Sequence, residues 1–168
     1  MKDVFDLRQA YIDFRNSETG WIRVRTGRQE MQFGAQRLVG GRDWSNTAQV
    51  FDGMRLTLGY DGERVDVFSS SVVVNYPTAF DDHQGGTNFN GAYGSFTRLV
   101  AKAALEPYVF WKTAITVKSE EGKLGNESLL TPGFRWAGAL PLGFEYAAEA
   151  ARQDTTRRTT LMRGGVMG

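Results

Sequence analysis

Apolar and polar side chains alternate with period two along most of this chain, and that pattern confines it to β-sheet. Residues 4–14 read as a first strand and 21–33 as a second, with 16–20 as the turn between them. In the second strand Arg23, Arg25 and Gln29 share one face, and Ile22, Val24 and Thr26 share the other. A longer connection, 34–46, carries Gly40 and Gly41. Residues 51–59 follow, with Arg55 and Thr57 opposed to Met54, Leu56 and Leu58. The run Tyr60-Asp61-Gly62-Glu63 is a hairpin signal, because Asp-Gly supplies the positive φ that tight turns require. The next strand spans 64 to about 76. Residues 77–90 have loop composition, 91–100 form a strand, and 105–118 alternate most clearly of all. A turn at 120–126 leads to strands 129–137 and 142–153, joined by a 138–141 link. A further strand starts at 157–167. The expectation is eight strands and the beginning of a ninth, antiparallel and up-and-down. The one locally helical stretch, 101–105, is too short to stand alone.

Composition narrows the function classes. The 168 residues fit one ordinary domain or a piece of something larger. A net charge of +1 gives no pull toward nucleic acid. There is no cysteine, hence no disulfide, thiolate metal site or cysteine nucleophile, and the single histidine, His83, cannot build a multi-histidine centre. No stretch is long and apolar enough for a membrane helix, which leaves a membrane barrel open, since barrel strands alternate over only about ten residues. Met1, Lys2, Asp3 and Val4 do not open a secretory signal, so the chain is either cytoplasmic or cut from a longer one.

The two faces decide between a soluble barrel, apolar inside, and a membrane barrel, apolar outside. Two features favour the membrane barrel. The basic residues are 15 Arg and 5 Lys, and the polar faces alternate Arg with carboxylates, as suits a confined wet interior better than an open surface. Aromatic residues Trp21, Phe33, Trp44, Phe51, Tyr60, Tyr76 and Phe80 fall near strand ends, where an interfacial girdle would lie. A soluble eight-stranded, lipocalin-like ligand-binding barrel stays open on periodicity alone.

Several segments resemble the alginate export family of outer-membrane β-barrels of Gram-negative bacteria. They are Asp6-Leu7-Arg8-Gln9-Ala10-Tyr11-Ile12-Asp13, Val24-Arg25-Thr26-Gly27-Arg28-Gln29-Glu30 and Gln36-Arg37-Leu38-Val39-Gly40. The likeness continues through Arg42-Asp43-Trp44-Ser45-Asn46-Thr47, Phe51-Asp52-Gly53-Met54-Arg55-Leu56-Thr57, Arg64-Val65-Asp66-Val67-Phe68, Phe80-Asp81-Asp82, Gly133-Phe134-Arg135 and residues 144–153. The resemblance implies a monomeric barrel of about 18 strands whose Arg-rich lumen passes an anionic polysaccharide outward. Eight or nine strands are about half of that, so residues 1–168 are expected to be a single β-barrel segment, incomplete at both ends. The alternative is a short barrel that pairs its edges with another copy or with partner subunits, as a structural part of a larger membrane assembly.

The pore-lining, substrate-binding candidates are Arg23, Arg25, Arg55, Arg64, Lys112, Arg135, Glu145 and Glu149, cationic groups that would lower the barrier for carboxylated sugars or small anionic solutes. The plainer reading makes the arginines neutralise Asp66, Glu106, Glu145 and Glu149 with no ligand at all. Arg28, Arg37, Arg42 and Asp43 lie in or beside the 34–46 connection and are candidates for a gating loop folded into the pore. A structural clamp onto Glu30, Asp43 or Asp52 is the competing reading. Asp81-Asp82-His83 reads as loop-tip chemistry rather than a metal site. Glu145 and Glu149 sit about 13 Å apart along a strand, beyond the roughly 5–9.5 Å of glycosidase pairs. No catalytic residue, metal or cofactor is expected, which leaves a polysaccharide lyase or hydrolase without a catalytic constellation. The expected partners are an anionic polysaccharide or small anionic solute and outer-membrane lipid, with no nucleic acid.

Overall fold

A computed structural model describes residues 9–35, 50–60, 62–74, 82–99, 102–118 and 124–159. They form one antiparallel sheet: β1 (Ala10–Arg15), β2 (Ile22–Glu30), β3 (Val50–Tyr60), β4 (Glu63–Val74), β5 (Asp82–Phe96), β6 (Ala103–Lys118), β7 (Leu124–Ala139), β8 (Glu145–Ala151) and β9 (Asp154–Thr159). Each strand pairs with the next in sequence as far as β8. Among the described residues the sheet is open, with β1 at one edge and β8 and β9 at the other. The chain is all-β and up-and-down.

Three boundaries differ from the sequence expectation. Strand β5 begins at Asp82, inside the polar stretch read as loop, because Asn88, Phe89 and Asn90 pair with Ser71, Ser70 and Ser69 of β4. Strand β7 begins at Leu124, inside the expected turn. Residues 142–144 belong to a turn around the 3₁₀ element Pro141–Gly143, so β8 starts at Glu145. Most of the expected ninth strand, 160–167, lies outside the described residues; the part that is described belongs to β9 (Asp154–Thr159). Strand β8 pairs with the half of β7 nearest the turn (Gly133↔Ala151) and β9 with the other half (Leu130↔Asp154), in one unbroken register. The ladder is interrupted at Pro132, which has no N–H to give, while its carbonyl still accepts from Arg152 N at 3.0 Å.

The register fixes two faces. Row by row across the ladders, Asp13, Arg25, Arg55, Phe68, Gly91, Phe110 and Thr131 stand on one side. Val24, Leu56, Val67, Ala92, Val109 and Pro132 stand on the other. This second, outer face leaves Ile12, Phe14, Met54, Val67, Val109, Trp111, Leu130, Phe134 and Trp136 between 39% and 61% exposed. So broad an apolar surface is a liability in water and the expected state in lipid. Toward the end with the long connections it gives way to polar pairs: Arg28 with Asp52, Ser71 with Asn88, and Ser69 with Asn90.

The inner face is held by aromatic rings. Leaving β2, residues 31–35 fold back over this face, and Met31 and Phe33 are almost fully buried there. The Phe33 ring lies 4.8 Å from Tyr93, 5.3 Å from Phe68 and 5.9 Å from Phe110 by centroid, so one side chain ties β4, β5 and β6 together. Phe51, Phe89 and Tyr108 complete the cluster. Glycines make room for it: a Cβ on Gly133 would meet the Tyr108 ring at 2.6 Å. Phe33 and Phe51, expected in an interfacial girdle, are therefore core residues; burial against neighbouring rings outweighs their position near strand ends. Trp44, Tyr76 and Phe80 lie outside the described residues.

Replacing Phe33 with Ala should cost about 3–5 kcal/mol, the usual loss for a buried ring. Equilibrium unfolding in urea, followed by tryptophan fluorescence of the refolded protein, measures it; a loss under about 1 kcal/mol would show that the ring is not part of the core.

Candidate functional site

The short turns set the spacing of the charges. In the first turn the Asn16 side chain accepts from the backbone N–H groups of Glu18 and Thr19, at 3.0 and 2.9 Å. That tight closure puts Asp13 opposite Arg25. The Arg25 guanidinium donates to both carboxylate oxygens of Asp13, at 2.8 and 2.7 Å, and its Cζ sits 3.7 Å from the centre of the Tyr11 ring. The same register sets Arg25 directly opposite Arg55. Like charges facing each other repel, and the Asp13 carboxylate bound to Arg25 offsets that repulsion.

One row nearer the turns, Arg23 faces Thr57 and Thr57 faces Asp66. The Thr57 hydroxyl donates to Asp66, and Arg64, two residues before it on the same face, pairs with the same carboxylate at 3.2 Å. Asp66 is only 3% exposed, so it is a fixed counter-charge within the wall. Among the described residues nothing bonds the buried Nε of Arg55. Gly20, Arg23, Arg55, Thr57, Gly59, Tyr60, Arg64 and Asp66 line a cleft of about 210 Å³. Three guanidinium groups thus border one cleft that holds a single carboxylate.

The other half of the inner face is balanced differently. Glu106 and Arg135 face each other across β6 and β7 and form an ion pair, and Arg135 faces Glu149 across β7 and β8. Tyr108 lies over Gly133 and donates its hydroxyl to Glu149 at 3.0 Å. Glu145 occupies the same face nearer the turn, and Lys112 the same face nearer the long connections. The register therefore brings all eight lining candidates, Arg23, Arg25, Arg55, Arg64, Lys112, Arg135, Glu145 and Glu149, onto one face. It gathers only Arg23, Arg55 and Arg64 at one cleft.

The proposed gating residues separate. Arg28 lies in β2 on the outer face and pairs with Asp52 at 2.9 Å, the clamp rather than a loop position. The first part of the connection does fold inward, and a Cβ on Gly34 would reach within 3.5 Å of Glu106 Oε2. Arg37, Arg42 and Asp43 lie outside the described residues, as do the side chains of Asp82 and His83. Thr57, Asp66 and Asp13 shape the site but were absent from the lining set. Their signal was present in the hairpins, where a tight turn fixes which residues face each other. Tyr11 carried no such signal, since stacking under a guanidinium leaves no mark on periodicity.

A family model described as alginate export matches residues 2–164. Neither a curated protein nor a solved structure matches the chain.

Changing Asp66 to Asn should destabilise the fold by about 1–3 kcal/mol, because Arg23, Arg55 and Arg64 lose their shared counter-charge. Sulfate should restore more of the urea midpoint in this variant than in the parent. Equal sulfate responses in the two would mean that the guanidinium groups do not share an anion site.

Proposed function

This chain belongs to the alginate export family of outer-membrane β-barrels, with its porin-like export role, and from that premise we propose that its inner face carries anionic solutes, among them carboxylated polysaccharide, across the outer membrane. The observation that supports this reading is the cleft where Arg23, Arg55 and Arg64 meet a single carboxylate, Asp66. A carboxylate entering it trades its water and counterions for guanidinium donors. The affinity required is weak. A channel must release what it binds, and several shallow sites along a wall conduct better than one deep one.

The arrangement suits a charged sugar. Arg64 pairs with Asp66 and Thr57 donates to it, so one carboxylate stands against the three guanidinium groups that line the cleft. Arg25, by contrast, is neutralised by a two-pronged bond to Asp13 and acts chiefly by holding β1 to β2. Arg135 is engaged with Glu106 and contributes little net field. The selectivity elements within the lining set are accordingly Arg23, Arg55 and Arg64. The apolar outer face argues against the soluble, lipocalin-like alternative, whose exterior would be polar.

Exchanging Arg23 and Arg55 together for Gln should lower the anion-to-cation permeability ratio in planar bilayers by about tenfold, which is about 1.4 kcal/mol. Exchanging Glu106 and Arg135 together for Gln removes one charge of each sign and should leave the ratio near its starting value. An unchanged ratio in the first variant would sink the selectivity assignment, whatever the second shows.

A further inference from the structure

The turn between β7 and β8 differs from the other three at its end of the sheet in carrying no charged residue. The turn after β1 reads Asn16-Ser17-Glu18-Thr19-Gly20, the one after β3 is Asp61-Gly62, and the one after β5 sets an exposed Leu99 between Arg98 and Lys102. The turn after β7 reads Leu140-Pro141-Leu142-Gly143-Phe144. Leu140 and Phe144 have extended backbone and continue the alternation of the outer face beyond Gly138 and Tyr146. Leu140 N donates to Phe144 O at 2.7 Å, closing them as a pair. Leu142 stands at the tip, 95% exposed, with Phe144 65% and Leu140 54% exposed. Leu142 also holds a φ of 69°, a conformation that favours Gly or Asn over a branched apolar side chain. A bare leucine in a left-handed conformation is unfavourable on both counts in water.

We propose that residues 140–144 insert into the membrane leaflet on the short-turn side and act as an interfacial anchor for this part of the wall. Two further observations support it. The aromatic pair Trp136 and Tyr146, with ring centroids 6.5 Å apart, sits on the outer face next to the turn, so the apolar tip is continuous with the lipid-facing surface. The outer positions are apolar from Leu130 on β7 to Leu140 just beyond it, ten residue steps or about 33 Å along a strand. At a tilt of about 40° that spans about 25 Å, the height of the apolar band of an outer-membrane barrel. Were the band to end at Trp136, it would span only about 15 Å on this strand. The occupant is therefore lipid acyl chain. The turn carries no charge that would recruit an anionic headgroup or an acidic partner.

The inference rests on the outer face meeting lipid, and it is independent of which solute crosses. Because the 168 residues contain no cysteine, single nitroxide labels can be placed cleanly at Leu142→Cys, Phe134→Cys and Ser17→Cys. The labelled proteins are reconstituted into phosphatidylcholine vesicles, and electron spin resonance compares collisions with oxygen, which concentrates in lipid, and with a water-soluble nickel chelate. The label at Leu142 should resemble the one at Phe134, with an oxygen-to-nickel ratio about tenfold above that at Ser17. A nickel-dominated signal at Leu142, with Phe134 still lipid-like, overturns the anchor and leaves the barrel intact. A label at Leu142 shielded from both reagents overturns it in favour of protein cover. A water-like signal at Phe134 overturns the anchor together with the membrane reading.

Discussion

The phase of the backbone ladder governs everything else in this molecule. Successive side chains point to opposite faces, so a slip of one residue in any strand would exchange arginines for leucines along its whole length. In lipid such a slip cannot be relieved by water bonding the stranded N–H and C=O groups. The register is pinned where it matters. The Asn16 turn fixes β1 on β2, Asp-Gly fixes β3 on β4, and Pro132 interrupts pairing on β7 without shifting its offset. The long connections carry less of this burden. One of them uses its first residues differently, sending Met31 and Phe33 back over the inner face.

The two faces were legible in the sequence because alternation needs no tertiary information. Arg23 and Arg25 against Ile22 and Val24 already gave the phase of β2 that the ladder confirms. The start of β5 was not legible. Asn88 and Asn90 have turn composition, and they become strand because β4 offers Ser71 and Ser69 as hydrogen-bonding neighbours. The continuity of β8 and β9 was hidden for the opposite reason. Arg152, Gln153 and Asp154 interrupt the apolar pattern, but the outer face there is already polar, with Ser128 and Asn126 alongside. The misplaced girdle has the same origin. Position near a strand end says that an aromatic ring could meet an interface; only the path of residues 31–35 shows that Phe33 is spent inward instead.

For the candidate site, residue type and face were readable, whereas partner choice was not. Nothing in the sequence distinguishes Arg25, neutralised by Asp13, from Arg55, whose buried Nε has no hydrogen bond among the described residues. The difference is geometric. Asp13 lies directly across one ladder step from Arg25 and bonds it twice, whereas Asp66, the carboxylate that shares a cleft with Arg55, is engaged by Thr57 and Arg64. Electrostatic capacity follows from such allocations more than from a count of arginines.

The distribution of charge over the inner face then has a consequence for transport. On β1 to β4 the inward basic residues are Arg15, Arg23, Arg25, Arg55 and Arg64, five against the two carboxylates Asp13 and Asp66. On β6 to β9 Lys112, Arg135 and Arg157 face Glu106, Glu127, Glu145 and Glu149, three against four. In the proposed function, an anion moving along this wall would be drawn to one sector of it. The aromatic cluster lies between the two sectors, on β4 to β6, where Phe68, Tyr93 and Phe110 present no charge and little freedom to move. Fixed low-polarity walls weaken dielectric screening beside them, so the arginine sector exerts a stronger field than the same side chains would on a hydrated surface. Rigidity and the proposed selectivity therefore share a cause in the packing of rings against glycines, which holds the strands in the register that sets Arg23, Arg55 and Arg64 around one cleft.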